Sequence, residues 1–507
     1  MDRTDHVVKN LKFAAVSELV LAVLKFVSRR VFVFLLGKEY LGISGLFTDI
    51  LSMLSLAELG FGVSVTYSLY RPVALGDTEL IKSLMALYRR AYYIIALIVL
   101  GAGLALTPFL DFFVKEMPEG ISQLSLIYVL NVVNASVSYL FAYKSTLLFV
   151  YQKKYIDSLI HTAVAIGATA AQIGILMLTG SYVYYLFIAI GATLLQNAVL
   201  SVKTDRLYPY LREKKVKPLP GEVLCDIRRN VAAMFLHRIG AVAVFGTDNI
   251  LISKFAGIAA TGMYSNYTMI RGFLNVMINA LFNAITPALG NFNATESLEE
   301  KRTAFLRLNF FSAWLFGWMS ICLLWLYDPF ICIWLSEDYL LPGPVVLLIV
   351  VNFYINCMRI PVANTKSTMG LFWDERYKSI FEPPCNLIIS MILAKRFGIF
   401  GILAGTFISM IALPFWIEPL GLYRHGLKEP VRGYFLRYLG HLLVTVIAAG
   451  VTGVACLAAG KGMFGFLQKC MLCLIIPNGV YLLVYRRTGE FYFLKEMAGR
   501  IAKKVFR

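Results

Sequence analysis

Three cations lie inside the first long apolar segment of the chain, which runs LAVLKFVSRRVFVFLLG from residue 21 to 37. Lys25 and Arg29 are four residues apart and therefore share one helix face, with Arg30 beside it. A charge at such a position is costly in lipid unless water, an acid or an anionic ligand accompanies it. Arginine binds phosphate oxygens in a two-pronged manner and lysine acts as a point charge. The spacing therefore predicts anion binding, with phosphate or pyrophosphate as the fitting group.

Further polar side chains occur in later apolar segments. Predicted substrate-binding cations are Lys25, Arg29, Arg30, Arg238, Arg271 and Arg359. Asparagines at helical spacing, which fit sugar hydroxyls, are Asn275, Asn279, Asn352 and Asn356. Polar residues also hydrogen-bond between membrane helices, so this alternative stays open for each asparagine. The cations together exceed the acids available to neutralise them, which favours an anionic ligand.

Three acids in apolar segments have two interpretations. Asp49, Glu58 and Asp248 either pair with cations across a helix bundle or act as protonatable or sodium-binding groups. The second interpretation would couple transport to an H⁺ or Na⁺ gradient. No bound cofactor is predicted, and the membrane potential is a third source of energy.

The elements that must position these residues are membrane helices. The chain is 59% hydrophobic and only 15% charged, too few charged residues for the surface of a soluble protein. Apolar runs of spanning length recur throughout, so we expect an all-α polytopic membrane protein with about fourteen transmembrane helices. The predicted spans are 12–36, 42–70, 84–107, 121–150, 156–179, 181–202, 229–253, 258–289, 305–327, 343–369, 377–397, 399–423, 435–458 and 464–485. The split at 179–181 rests on the short sequence TGS, and without it the count falls to twelve.

The distribution of lysine and arginine predicts the orientation. If the N-terminus is cytoplasmic, the loops on that side hold most of the basic residues, and the opposite loops, such as DFFVKEMPEG, are acidic. We therefore expect both termini in the cytoplasm. The net charge of +18 follows from these loops, so nucleic acid is not an expected partner.

A basic loop with Pro218, Pro220 and Gly221 suggests a boundary between lobes. The predicted divisions are an N-lobe of six helices over 1–203, a linker over 204–228, a C-lobe over 229–424, two helices over 425–485 and a basic amphipathic tail over 486–507. An internal echo supports two lobes: Gly45-Leu46-Phe47 and Gly262-Met263-Tyr264 each precede a long helix predicted to end at proline.

Motifs of enzymes and metal sites are missing from the sequence. It contains no GxxxxGK[ST], no HExxH and no G-x-S-x-G. Its five histidines are scattered, which makes a metal site unlikely on spacing alone. The sequence thus indicates a transporter rather than an enzyme.

Two stretches carry a family resemblance. GKEYLGISGLFTDILSMLSLAELGFGVSVTYSLYRP and GTDNILISKFAGIAATGMYSNYTMI resemble the polysaccharide-transporter branch of the multidrug/oligosaccharidyl-lipid/polysaccharide (MOP) superfamily, the Wzx-type flippases. The resemblance implies two six-helix lobes in a V shape, plus two C-terminal helices. It also implies that undecaprenyl-pyrophosphate-linked oligosaccharide is moved from the cytoplasmic to the outer leaflet by alternating access of a cationic cavity. Glycosyltransferases and a polysaccharide polymerase are the partners it implies.

Two other functions stay open at this stage. A lipid II flippase for peptidoglycan would share the fold and carry a different glycan. A drug–ion antiporter of the MATE type would bind organic cations, and the surplus of basic residues disfavours it.

Overall fold

The protein is built of helices. A computed structural model describes residues 3–58, 61–114, 123–213, 216–228, 231, 247–371 and 376–505, and these ranges contain no strand. Ten helices within them are long and apolar enough to cross a membrane. The all-α polytopic fold class is therefore confirmed, and the predicted span over 229–253 lies largely outside the described residues.

The chain forms two compact units, Met1–Ser265 and Asn266–Arg507. The first contains α1 (Arg3–Leu54), α2 (Phe61–Leu75), α3 (Thr78–Leu106), α4 (Leu110–Phe113), α5 (Leu124–Tyr139), α6 (Tyr143–Val150), α7 (Lys154–Thr179), α8 (Tyr182–Leu207), α9 (described over 221–228) and α10 (Asp248–Ala256). The boundary falls within α11 (Ile258–Thr295) rather than in the 204–228 linker, because α10 packs against α1. The lobe limits chosen from loop composition stay a prediction.

The second unit continues from α11. It contains α12 (Leu298–Trp334), α13 (Gly343–Thr368), α14 (Arg376–Ala412), α15 (Pro414–Gly421), α16 (Arg432–Leu457), α17 (Gly462–Tyr485) and α18 (Gly489–Val505). Indole N–H groups of α12 fasten the last two long helices: Trp314 donates to Asn478 Oδ1 at 2.8 Å, and Trp325 donates to the Ala449 carbonyl at 3.0 Å. The basic tail folds as α18, where Phe491 stacks on Trp314.

Glycines interrupt the helices where spans were expected to separate. Gly37 has φ +84° inside α1, between the predicted spans 12–36 and 42–70. Gly180 ends α7 in the left-handed conformation at φ +61°, which confirms the division at TGS. Gly398, at φ +53°, breaks α14 between the predicted spans 377–397 and 399–423. Only glycine takes these dihedral angles at low cost.

The predicted spans 42–70 and 121–150 are not continuous helices. The segment 42–70 comprises the end of α1, a 3₁₀ turn over Ser55–Glu58 and the start of α2. The segment 121–150 is split into α5 and α6 by a turn in which Leu140 N–H bonds to the Val137 carbonyl at 3.2 Å. Apolarity predicts the length of a span, but local i→i+3 bonding of this kind leaves no trace in hydropathy.

Proline does not end the two echoed helices, contrary to the prediction. α2 passes Pro72 and continues to Leu75, and α11 passes Pro287 and continues to Thr295. Membrane helices tolerate proline because neighbouring groups satisfy the freed backbone carbonyls.

Candidate functional site

The two echoed segments pack against each other within the first unit. A Cβ on Gly42 would overlap the carbonyl oxygen of Ile258, and a Cβ on Gly262 would overlap that of Lys38. A Cβ on Gly45 would lie 3.7 Å from Ser265. Small residues allow membrane helices to approach this closely. The contact holds the second half of α1 on the start of α11.

Arg29 lies beside this contact. Its Nη1 donates to Ser265 Oγ at 3.0 Å. Tyr182 and Tyr185 of α8 lie close enough to interact with the guanidinium, and Phe32 packs edge-on against both rings at 5.1 and 5.6 Å. Within the described residues, Arg29 makes no salt bridge. A half-buried cation thus has hydroxyl and ring neighbours, with other N–H groups left to donate.

The other two cations of the opening segment are more exposed. Lys25 and Arg30 are both exposed on α1, one turn before Arg29 and immediately after it. The described part of the chain supplies neither with an ion pair. The three cations thus lie within two turns of α1, with Arg29 half-buried between two exposed side chains, and we call them the cationic α1 face.

Asp49 and Asp248 come together where α1 meets α10. Asp49 Oδ2 accepts the backbone N–H of Asn249 at 3.3 Å, and the two carboxylates are close enough to interact. Tyr264 donates to Asp248 Oδ2 at 3.2 Å. The position suits an acid, because N–H groups are free in the first turn of a helix. The choice between charge pairing and ion coupling is left open by this geometry.

Glu58 belongs to a hydrogen-bonded tyrosine cluster. Tyr92 donates its hydroxyl to Glu58. The Tyr88 hydroxyl in turn lies 3.3 Å from that of Tyr92 and 3.1 Å from Thr146 Oγ1. This network ties the 3₁₀ turn to α3 and α6.

Arg359 has acidic partners that the sequence analysis did not select. Its Nη2 and Nε contact Glu418 at 2.6 and 3.0 Å, and its Nη1 lies 3.4 Å from Glu382. Lys378 also contacts Glu418. We call these four residues the Arg359 cluster, and their formal charges cancel. The sequence did contain a signal for these partners, because Glu382 and Glu418 are acids inside the predicted spans 377–397 and 399–423.

The remaining predicted cations have separate surroundings. Arg271 is half-buried on α11, near Tyr327 and Cys357. Arg238 lies outside the described residues.

The asparagines differ in burial. Asn352 is buried and donates to the Leu403 carbonyl at 3.0 Å, which is a contact between α13 and α14. Asn275 and Asn356 are half-buried, and Asn279 is exposed. For Asn352 the structure thus supplies the helix–helix bond that was the alternative to sugar binding.

Solved structures of transporters match this architecture. Neither a protein-family model nor a curated protein sequence matches the chain. The lipid II flippase MurJ in an inward closed conformation matches with a TM-score of 0.66 and 14% identity, over 94% of this chain and 99% of its own. The chain therefore shares the fold of this flippase over nearly its whole length.

Two multidrug transporter structures share that fold. An inward-facing MATE family transporter of the MOP superfamily matches with a TM-score of 0.59 and 16% identity, over 80% of this chain and 96% of its own. A point mutant of the Vibrio cholerae MATE transporter VcmN matches with a TM-score of 0.56 and 14% identity, over 84% and 98%. These neighbours are transporters and flippases by name, and none is named as an enzyme. At such identities the likeness concerns the fold.

Proposed function

We propose that the protein is a flippase of the Wzx type. It moves undecaprenyl-pyrophosphate-linked oligosaccharide from the cytoplasmic to the outer leaflet of the bacterial inner membrane, for surface polysaccharide assembly. The observation that carries the proposal is the match to a lipid II flippase over 94% of this chain and 99% of that one. A lipid-linked sugar has a pyrophosphate between glycan and tail, which is the anion that the cationic α1 face suits.

The chemistry of α1 supports an anionic substrate. Arg29 donates one N–H to Ser265, and its planar guanidinium group has further N–H donors. Lys25 and Arg30 add two exposed charges on the same helix. Three cations on one membrane helix would repel an organic cation and attract a pyrophosphate. This argument favours the flippase over the drug–ion antiporter that the MATE likeness makes the second candidate.

Alternating access is the mechanism we propose. The hydrated glycan needs a wet route while the lipid tail stays in hydrocarbon, and an opening alternately to each side provides it. Undecaprenyl-linked substrate arrives from glycosyltransferases, and a polymerase consumes the product. Lipid II itself is the alternative substrate, since it carries the same pyrophosphate on a different glycan.

Export measurements test the role of the cations. In cells that depend on this chain for surface polysaccharide, Arg29→Gln, Arg30→Gln and Arg238→Gln are each expected to reduce export at least about tenfold, the effect of losing one charge-assisted hydrogen bond. The control is Arg90→Gln, which removes an exposed cation from α3. Immunoblots of membranes establish equal amounts of each variant. Export at the control level in all three variants would overturn the proposal.

Reconstitution separates the substrates. In proteoliposomes, we expect flipping of a labelled undecaprenyl-pyrophosphate oligosaccharide and no flipping of lipid II. Flipping of lipid II alone would assign the protein to peptidoglycan synthesis. Drug efflux without lipid flipping would show that it is a drug–ion antiporter.

Coupling to an ion gradient is a further part of the proposal. Asp49→Asn and Asp248→Asn are expected to slow flipping driven by a proton or sodium gradient, and Glu58→Gln tests the third acid. Flipping that is unchanged when both gradients are collapsed would rule out this coupling and leave the membrane potential as the source.

A further inference from the structure

A second cationic site lies in the first unit, away from the α1 face. The ends of α3, α6 and α8, with residues 211–213 and 216, enclose a cavity of about 450 Å³. The loop charges predict that this end faces the cytoplasm. Ligand pockets in proteins span roughly 300–1,000 Å³, so the cavity has the size of a ligand site.

Two buried lysines form the back of the cavity, and both are neutralised. Lys82 lies 2.6 Å from Glu213 and also contacts Glu79. Lys144 contacts Asp205 at 2.8 Å and donates to Ser201 Oγ at 2.6 Å. Lys144 is buried at the start of α6. Each lysine is therefore neutralised by an ion pair with at least one carboxylate.

Two arginines at the mouth of the cavity have no such acid. Arg89 and Arg212 both line it and are both exposed. Arg89 hydrogen-bonds to the Tyr143 hydroxyl, and in the described ranges neither arginine is within ion-pair distance of a carboxylate. The lining holds four cations and two acids, so its charge is positive and its uncompensated part lies on two guanidinium groups.

The segment over the cavity is fastened by polar contacts. Glu213 reaches Lys82, and Ser83 Oγ donates to the Lys217 carbonyl at 2.8 Å. Tyr151 and Tyr208 stack at 4.4 Å between ring centroids beside it. Arg212 is thereby held at the cavity that Arg89 of α3 also lines. Two guanidinium groups that line one cavity suit an anion with several oxygens.

We propose that this cavity binds the phosphate group of an anionic ligand, with Arg89 and Arg212 as its direct ligands. The volume exceeds that of one phosphate, so the ligand carries more than the bare ion. Two sources share this chemistry: a phospholipid headgroup at the cytoplasmic surface and a soluble phosphate compound. The proposal does not depend on the flippase function, because none of these residues belongs to the α1 face.

Calorimetry with two probes tests the site. The full chain is purified in nanodiscs of phosphatidylcholine and titrated with sodium pyrophosphate or with dioctanoyl phosphatidic acid below its micellar concentration. Arg89→Gln/Arg212→Gln is expected to weaken binding of the preferred probe by at least about tenfold, because each charge-assisted hydrogen bond is worth that much. The matched control, Arg90→Gln/Arg206→Gln, removes two exposed cations from α3 and α8 that do not line the cavity.

The outcomes distinguish a soluble ligand from a lipid headgroup and show when the proposal is wrong. Binding of pyrophosphate alone supports a soluble ligand, and binding of phosphatidic acid alone supports a lipid headgroup. The thermal midpoints of the Arg89/Arg212 and control variants are compared with that of the wild-type chain, so that a loss of binding is told apart from a loss of folding. The proposal is wrong if the wild-type chain binds neither probe, or if the Arg89/Arg212 and control variants bind equally.

Discussion

At the scale of single residues, the same side chain has different roles in different surroundings. Arg29 is held by a serine hydroxyl and flanked by tyrosines, and Arg359 is enclosed by two glutamates. A guanidinium that is already bound by a carboxylate at two points has little left for a substrate. Arg29 is therefore the stronger candidate for pyrophosphate, and Arg359 serves as an anchor between helices.

Glycine contacts give a prediction at this scale. Gly42→Ala and Gly262→Ala are expected to lower the free energy of unfolding by about 1–3 kcal/mol, because the added methyl would overlap a backbone carbonyl. The thermal midpoint of the purified protein measures the effect. Gly174→Ala and Gly191→Ala are the controls, since nothing lies within 4 Å of either added Cβ. Helical alanine is favoured over glycine, so the controls should be neutral or stabilised, and equal losses at all four sites would contradict the packing argument.

At the scale of elements, charges fasten one helix to the next. The Arg359 cluster joins α13 to α14 and α15 through Glu382 and Glu418, with Glu418 buried. Hydrophobic packing alone does little to determine which helices become neighbours in lipid, since the lipid tails are as apolar as leucine. A satisfied ion cluster specifies which helices meet.

Removing one member of the cluster is expected to be costly. Glu418→Gln removes the buried acid that Arg359 and Lys378 share, leaves these half-buried cations with less compensation and should destabilise the fold by about 3–5 kcal/mol. The half-exposed pair Arg302–Glu429, at 3.3 Å, is the control, and Glu429→Gln should cost less than about 1 kcal/mol. Both values come from the same unfolding experiment in detergent. A small loss in both variants would show that the cluster contributes little.

At the scale of the whole molecule, the orientation in the membrane decides which site meets which substrate. The loop charges predict that α9 lies in the cytoplasm and the loop before α17 on the opposite side. Cys225 is exposed on α9, and Lys461 is exposed in that loop. The two positions provide a matched pair of reporters.

Labelling in intact cells tests the orientation. With the other cysteines replaced, Cys225 should react with a membrane-impermeant maleimide only after the membrane is opened. Lys461→Cys, on a background without native cysteines, should react in closed cells. The reverse pattern would contradict the predicted orientation and place the cavity lined by Arg89 and Arg212 at the outer surface.

Hydropathy was sufficient for much of the fold. Long apolar runs predicted the helices α7, α8, α13, α16 and α17 to within a few residues, because a spanning helix must satisfy its own backbone in lipid. Hydropathy did not predict the breaks in the helices at residues 55–58 and 140–142, which depend on local backbone hydrogen bonds. Nor did it predict that α2 and α11 continue past proline.

The sequence by itself determined that this is a helical membrane protein with cations on its first helix. Both follow from side-chain chemistry and from spacing along one helix, which are local properties. The tertiary structure decided which cations are already paired: acids distant in sequence neutralise Arg359 and Lys144, whereas Arg29 donates to an uncharged hydroxyl on α11. A partner 59, 61 or 236 residues away leaves no periodic signal. Ion pairing depends on distance in space, and only the packed helices set that distance.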